Sequence, residues 1–364
     1  MKIKTFISLT FCVCFSIAFA VCASGADITK KDLTDAVPPS VKNRLPEEIL
    51  AGDEITPESF GLEYVFGELT DEFSSALVPA VSSLSTLLGM LILSSSAKLF
   101  CPDRSDAVSV ISSAVIGVYV ITTEITTASA VENFAAVTST FVTSLTPLLF
   151  SLHTATANTA SAAVTSAGFL FFSAVTEFIS TYIFIPIYKA CLGFSVINAV
   201  SGGVSARVFD IIKRIFTLAI SALALIYITV LSYQTSLAAA TDTLASRSVK
   251  FVLSSSVPIV GGALGDAVRT TAAGIGVIKS ASGALGIAVM ILLAAPVAVR
   301  LLLSSAVYSA ASFAADLIGC EREGALFAEL RDAVGFALAT VSVIAVVFII
   351  ASAIFIKTAP AVGV

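Results

Sequence analysis

One histidine, His153, stands in the whole chain. That scarcity excludes HExxH and every multi-histidine metal site. Cysteine is sparse too: Cys12, Cys14 and Cys22 fall near the N-terminus, and Cys101, Cys191 and Cys320 lie far apart. With no CxxC, neither a zinc site nor a disulfide framework is indicated, and buried or interfacial free thiols are the simple reading. The third shortage is charge. Only 12% of the residues are charged, about half of the roughly 25% typical of soluble domains. The net charge is −5, with the acids gathered at one end, and nothing is basic enough to suggest nucleic acid as a partner.

What is abundant is apolar: 57% of residues are hydrophobic and the mean hydropathy is +1.00. Length alone would allow two soluble domains, but this hydropathy puts the chain in a bilayer. The expected fold is all-α, a polytopic integral membrane helix bundle with a short acidic extracytoplasmic N-terminal segment and one broken or re-entrant segment. Residues 1–26 open with Lys2 and Lys4, continue with an apolar core and end in small residues at Ser24 and Ala26. That pattern predicts a secretory signal peptide cleaved near Ala26, with an uncleaved signal anchor as the rival. In residues 27–75 acids outnumber bases about three to one, which suits an extracytoplasmic segment, since cytoplasmic flanks favour Lys and Arg. Within it Leu62, Val65, Phe66, Leu69 and Phe73 recur at helical spacing, an amphipathic lead-in to the membrane.

Residues 76–364 form the membrane domain, with about six to eight membrane segments. Spans of the ~20 residues a helix needs are expected at 76–97, 107–127, 136–152, 163–188, 215–233, 281–299 and 333–356, with 190–206 short or shallow. The stretch around Arg207, Asp210, Lys213 and Arg214 reads as an interfacial helix, and 316–332 as a charged helix pair. Arg104, Lys213, Arg214 and Arg331 mark cytoplasmic connections. The spans are rich in Ser, Thr, Ala and Gly, so helices associate through close backbone approach and interhelical hydrogen bonds.

Residues 254–283, SSSVPIVGGALGDAVRTTAAGIGVIKSASG, depart from this pattern. Pro258 and paired Gly261 and Gly262 interrupt a hydrophobic run, and Asp266, Arg269 and Lys279 follow. An ionisable residue at the bilayer centre costs at least ~2.5 kcal/mol, so it faces protein or water. Asp266 and Arg269 are i and i+3, neighbours on one helical face. Irregular backbone at depth is tolerated only where protein or a cavity surrounds it. A discontinuous helix or re-entrant hairpin is expected, with a surface loop between two membrane-dipping helices as the alternative. Gly261 and Gly265 add a GxxxG pair.

Catalytic motifs are weak. No GK[ST] follows the glycines, so there is no phosphate loop. Gly265-Asp266 approaches the GxGD of intramembrane aspartyl proteases, but the spacing is one residue too long and no second aspartate shares the proton. Ser195 with His153 matches a dyad only by composition. No enzyme and no cofactor are expected.

At the same residues the chain resembles the stage III sporulation protein AE family. The resemblance runs through QTSLAAATDTLASRSVKFVLSSSVPIVGGALGDAVRTTAAGIGVIKSASGALG and AAPVAVRLLL, carried by Gln234, Asp242, Arg247, Lys250, Pro258, Gly261, Gly262, Asp266, Lys279, Gly283, Gly286 and Pro296. FIPIYKACLGFSVINAVSG, with Pro186 and Asn198, is similar as well. The chain departs in Thr243, where a Gly is common, and in a shorter N-terminal region. The resemblance implies a polytopic subunit of the complex linking mother cell and forespore, in the mother-cell membrane. Its implied partners are other membrane and intermembrane-space subunits and a secretion-type ATPase. It carries no catalytic role. Asp242, Arg247, Lys250, Pro258, Gly261, Gly262, Asp266, Arg269 and Lys279 are the candidate structural or pathway residues. A stand-alone secondary transporter is the alternative, since broken helices near the midplane suit it; against it, no internal repeat is visible.

Overall fold

The computed structural model describes residues 35–42, 44–45, 62–155, 159–201, 211–212, 214–215, 218, 222, 225–227, 229, 233 and 261–357. The expected signal peptide, about half of residues 27–75, most of 202–260 and the last seven residues lie outside them. Among the described residues there is no strand. A short helix α1, Pro39–Lys42, precedes five long segments among the described residues: α2, Leu62–Phe100; α3, Ser105–Ala155; a rod made of α4, Thr159–Ile179, and α5, Ile185–Ser201; then α6, Gly261–Ile318, and α7, Glu321–Lys357. Five helical stretches are long and apolar enough to cross a membrane: Gly67–Phe100, Pro102–Ser151, Ser166–Ser201, Leu285–Ile318 and Glu321–Ser352. The chain is a multi-pass membrane helix bundle.

Several expected boundaries merge. The amphipathic lead-in and the first span are one helix, α2, and Phe73 is exposed rather than buried. The spans expected at 107–127 and 136–152 are one helix of 51 residues. The intervening SAVENFAA holds neither Gly nor Pro, so nothing stops the i→i−4 ladder, and Glu132 simply projects to the exposed side. α3 is described to Ala155 and α4 from Thr159, and residues 156–158, within the break expected beyond residue 152, lie outside the described residues. The spans expected at 163–188 and 190–206 are a single rod, joined by a π turn at Ser180–Phe184. Pro186 explains that turn: it has no N–H, and its ring clashes with the carbonyl one turn earlier. The turn widens, and the Ile185 N–H reaches back to the Ser180 carbonyl. Nor does α6 end at Arg300; it runs on to Ile318.

The helix pair expected at 316–332 is a tight reversal. Gly319 has φ +77°, Cys320 N–H bonds the Ala315 carbonyl at 2.8 Å and Gly319 N–H bonds the Asp316 carbonyl at 3.3 Å. This pair of bonds is a Schellman motif, which satisfies the last carbonyls of α6 and needs the left-handed residue that glycine supplies. α6 and α7 consequently form a long antiparallel pair, with α2 against α6 and α3 against the α4–α5 rod; α7 closes on α5 and α3. The core is aliphatic and aromatic. Phe348 of α7 lies 5.8, 6.0 and 6.2 Å from the rings of Phe141, Phe169 and Phe172. Close approach is extreme at Gly117 of α3, where an added Cβ would meet Val196 Cγ1 of α5 at 2.6 Å. Outside the bundle Arg44 reaches Glu72 at 3.0 Å and Glu68 at 3.6 Å, tying the acidic segment to the start of α2.

Candidate functional site: carboxylates between the helices

The buried stripe of α3 recurs at helical spacing through Ile116, Val120, Glu124, Ala128 and Val131. A carboxylate therefore occupies a core position. Glu124 has no exposed surface. Tyr188 of α5 donates to its Oε2 at 2.8 Å and Tyr308 of α6 donates to its Oε1 at 2.5 Å. Half a turn along α3, the Arg300 guanidinium of α6 donates to Thr126 Oγ1 at 2.8 Å. A buried carboxylate is tolerated only when its oxygens are satisfied, and two phenols from two other helices satisfy these.

A second carboxylate closes the end of the bundle where α2 meets α3 and α6 meets α7. Glu323 of α7 is fully buried. It accepts from Ser94 of α2 at 2.7 Å, from Ser112 of α3 at 2.5 Å, and from Lys98 at 3.2 Å. Beside it Arg322 pairs with Asp106 at 2.6 Å. Two further ties complete the set: Asn198 of α5 donates to Glu329 of α7, and Ser139 of α3 donates to Glu177 of α4 at 2.9 Å. Ser139 also shares a hydrogen bond with Ser173 at 2.8 Å. Each acid sits on one helix and is held by donors on others, so the arrangement fixes rotation and register between helices.

The residues expected to matter are placed differently. Asp242, Arg247, Lys250 and Pro258 lie outside the described residues. Gly261, Gly262, Asp266, Arg269 and Lys279 lie on the backbone of α6, and their side chains are outside the description. From Gly261 onward the expected break is absent, because the segment is continuous helix into Ile318. A helical Gly costs about 1 kcal/mol against Ala, too little to interrupt a run otherwise rich in Ala, Leu and Val. Asp266 and Arg269 do keep the i, i+3 helical spacing. Ser195 is buried, and its hydroxyl donates to the Cys191 carbonyl at 2.9 Å. Among the described residues no cluster of His, Cys, Asp or Glu could hold a metal ion.

Sequence reasoning applied the intramembrane-charge rule to Asp266 and Arg269 but not to Glu124, which stands between Thr123 and Ile125 in the same kind of run. Glu323 and Glu329 were hidden inside a segment read as a charged connection.

No solved structure matches the chain. Over 186 residues it is 28% identical to the stage III sporulation protein AE of Bacillus subtilis (strain 168), an alignment that covers 50% of this chain and 46% of that protein. The chain thus spans about half the length of the curated relative it matches. The family model described as "Stage III sporulation protein AE" matches residues 60–359, nearly all of the helix bundle with its carboxylate ties. A multi-pass membrane helix bundle, this chain belongs to the stage III sporulation protein AE family.

Proposed function

We propose that the chain is a non-enzymatic membrane subunit of the channel complex between mother cell and forespore that endospore formation requires. On this reading it sits in the mother-cell membrane around the forespore, with residues 27–75 on the far side of that membrane after removal of residues 1–26. Its partners are the other membrane and intermembrane-space subunits and a secretion-type ATPase. One observation supports the structural role above others: the buried Glu124 has both oxygens engaged by Tyr188 and Tyr308 of two other helices. A carboxylate so engaged, and with no exposed surface, holds helices in register and is out of reach of a substrate. The continuous helix from Gly261 to Ile318 weakens the stand-alone transporter reading, which drew on a broken element there.

The test is deletion of the gene in its own host, with complementation by a tagged copy. Spore yield should fall at least tenfold on deletion, and the tagged chain should co-purify with the complex's other subunits from sporulating membranes. Normal sporulation, or a tagged chain that purifies alone from those membranes, would reject the reading.

A further inference from the structure

The outward face of the α4–α5 rod carries charge that lipid does not accommodate. Glu177, whose Oε2 accepts from Ser139 of α3, and Lys189 are both exposed, and among the described residues Lys189 makes no ion pair. They lie 12 residues apart within the span Ser166–Ser201. A hydrocarbon core takes about 20 helical residues. Any 20-residue window of that span therefore contains Glu177, Lys189 or both, wherever the bilayer sits. At least one exposed charge is at membrane depth, and such charges face protein or water.

The π turn decides how the two are arranged. In a regular helix 12 residues rotate a side chain to roughly 120° from its start, at about 100° per residue. A π turn inserts the equivalent of one residue, which brings Lys189 back to within roughly 20° of Glu177. The two charges thus share one face, about 18 Å apart along the rod. Beside that line, on the exposed side of the rod, stand two aromatics: Tyr182 is 70% exposed and Phe178 48%, and their rings lie 5.3 Å apart. Aromatic side chains are enriched among the anchors of protein contacts.

We propose that this face docks a membrane helix of a partner protein, one that carries a Lys or Arg level with Glu177 and an Asp or Glu level with Lys189. The inference rests on the reading of the chain as one subunit of an assembly, and names the surface and the partner's chemistry. A second copy related by a two-fold axis along the membrane normal does not fit. It would run in the same direction and set Glu177 against Glu177 and Lys189 against Lys189.

The experiment uses the host's own chromosomal copy, with immunoblots to confirm equal membrane abundance. Glu177→Lys should lower spore yield at least tenfold and move the chain to a smaller species in native gels of sporulating membranes. The swap Glu177→Lys with Lys189→Glu should not restore either readout, because the partner's charges keep their levels. Suppressors of Glu177→Lys should replace a Lys or Arg by an acid in a membrane helix of another protein. Restoration by the swap would overturn the proposal, as would unchanged native migration of the double variant Glu177→Gln with Lys189→Gln. So would modification of Thr181→Cys, in a chain lacking other cysteines, by a membrane-impermeant maleimide, which would make the face the border of a water-filled path. If deletion of the gene leaves spore yield normal, the functional reading fails by itself, and native migration still decides the docking face.

Discussion

The phenol of Tyr308 donates to Glu124 Oε1 at 2.5 Å across the α3–α6 interface, while Tyr188 holds the other oxygen from α5. A single carboxyl group thereby joins three helices. Tyr308→Phe and Tyr188→Phe should each lower stability by roughly 1–3 kcal/mol, the cost of leaving a buried polar group with one partner fewer. Glu124→Gln keeps an acceptor and the shape, so it should be the mildest change at this position. Glu124→Leu strands two buried hydroxyls and should be the harshest. Thermal unfolding of the purified chain in detergent gives the order, and equal midpoints for Glu124→Gln and Glu124→Leu would contradict it.

At the other tie the two partners differ in their escape. Lys98 keeps 16% of its side-chain surface exposed, whereas Glu323 has none. Lys98→Ala strands a buried carboxylate on two serine hydroxyls, and stranding a buried charge costs about 3–5 kcal/mol at most. Glu323→Gln leaves a lysine that can turn to water, so it should cost less than Lys98→Ala. The double variant should recover part of the loss. The same unfolding measurement applies, and a double variant no better than Lys98→Ala alone would show that no such pair operates.

Gly117→Ala should push α3 away from α5, since its methyl would stand 2.6 and 2.8 Å from the two Val196 methyls. Overpacking of this kind typically costs ~1–3 kcal/mol. Val196→Ala alone should be mildly destabilising, and in the Gly117→Ala background it should restore stability. A non-additive recovery of at least ~1 kcal/mol in the double-mutant cycle is the expected signature.

Cys101 is exposed on the connection between α2 and α3, while Cys191 and Cys320 are buried. A membrane-impermeant maleimide should modify Cys101 from the cytoplasmic side, where the flanking Lys98 and Arg104 belong. Cys191 and Cys320 should react only after denaturation. Labelling of Cys101 from the opposite side would invert the orientation of every helix.

Helix content and membrane class were legible in composition, because 12% charge leaves no soluble alternative. Span boundaries were not. Hydropathy sees a charge such as Glu132 as an end, but a helix ends only where its hydrogen bonding is interrupted, as at Gly319. The turn at Pro186 left no mark in the hydropathy, because the backbone absorbs the proline in one wide turn at Ser180–Phe184. Glu124 was missed because its partners Tyr188 and Tyr308 lie 64 and 184 residues away, and no local pattern reports such a meeting. Asp266 and Arg269 attracted attention through proximity in sequence, the one kind of pairing a linear reading detects readily.

The length of α6 has a mechanical consequence. Its 58 residues rise about 87 Å at 1.5 Å each, almost three times the ~30 Å of hydrocarbon in a bilayer. At that length a change of ~5° in its direction at the Gly319 reversal would carry the Gly261 end through roughly 8 Å.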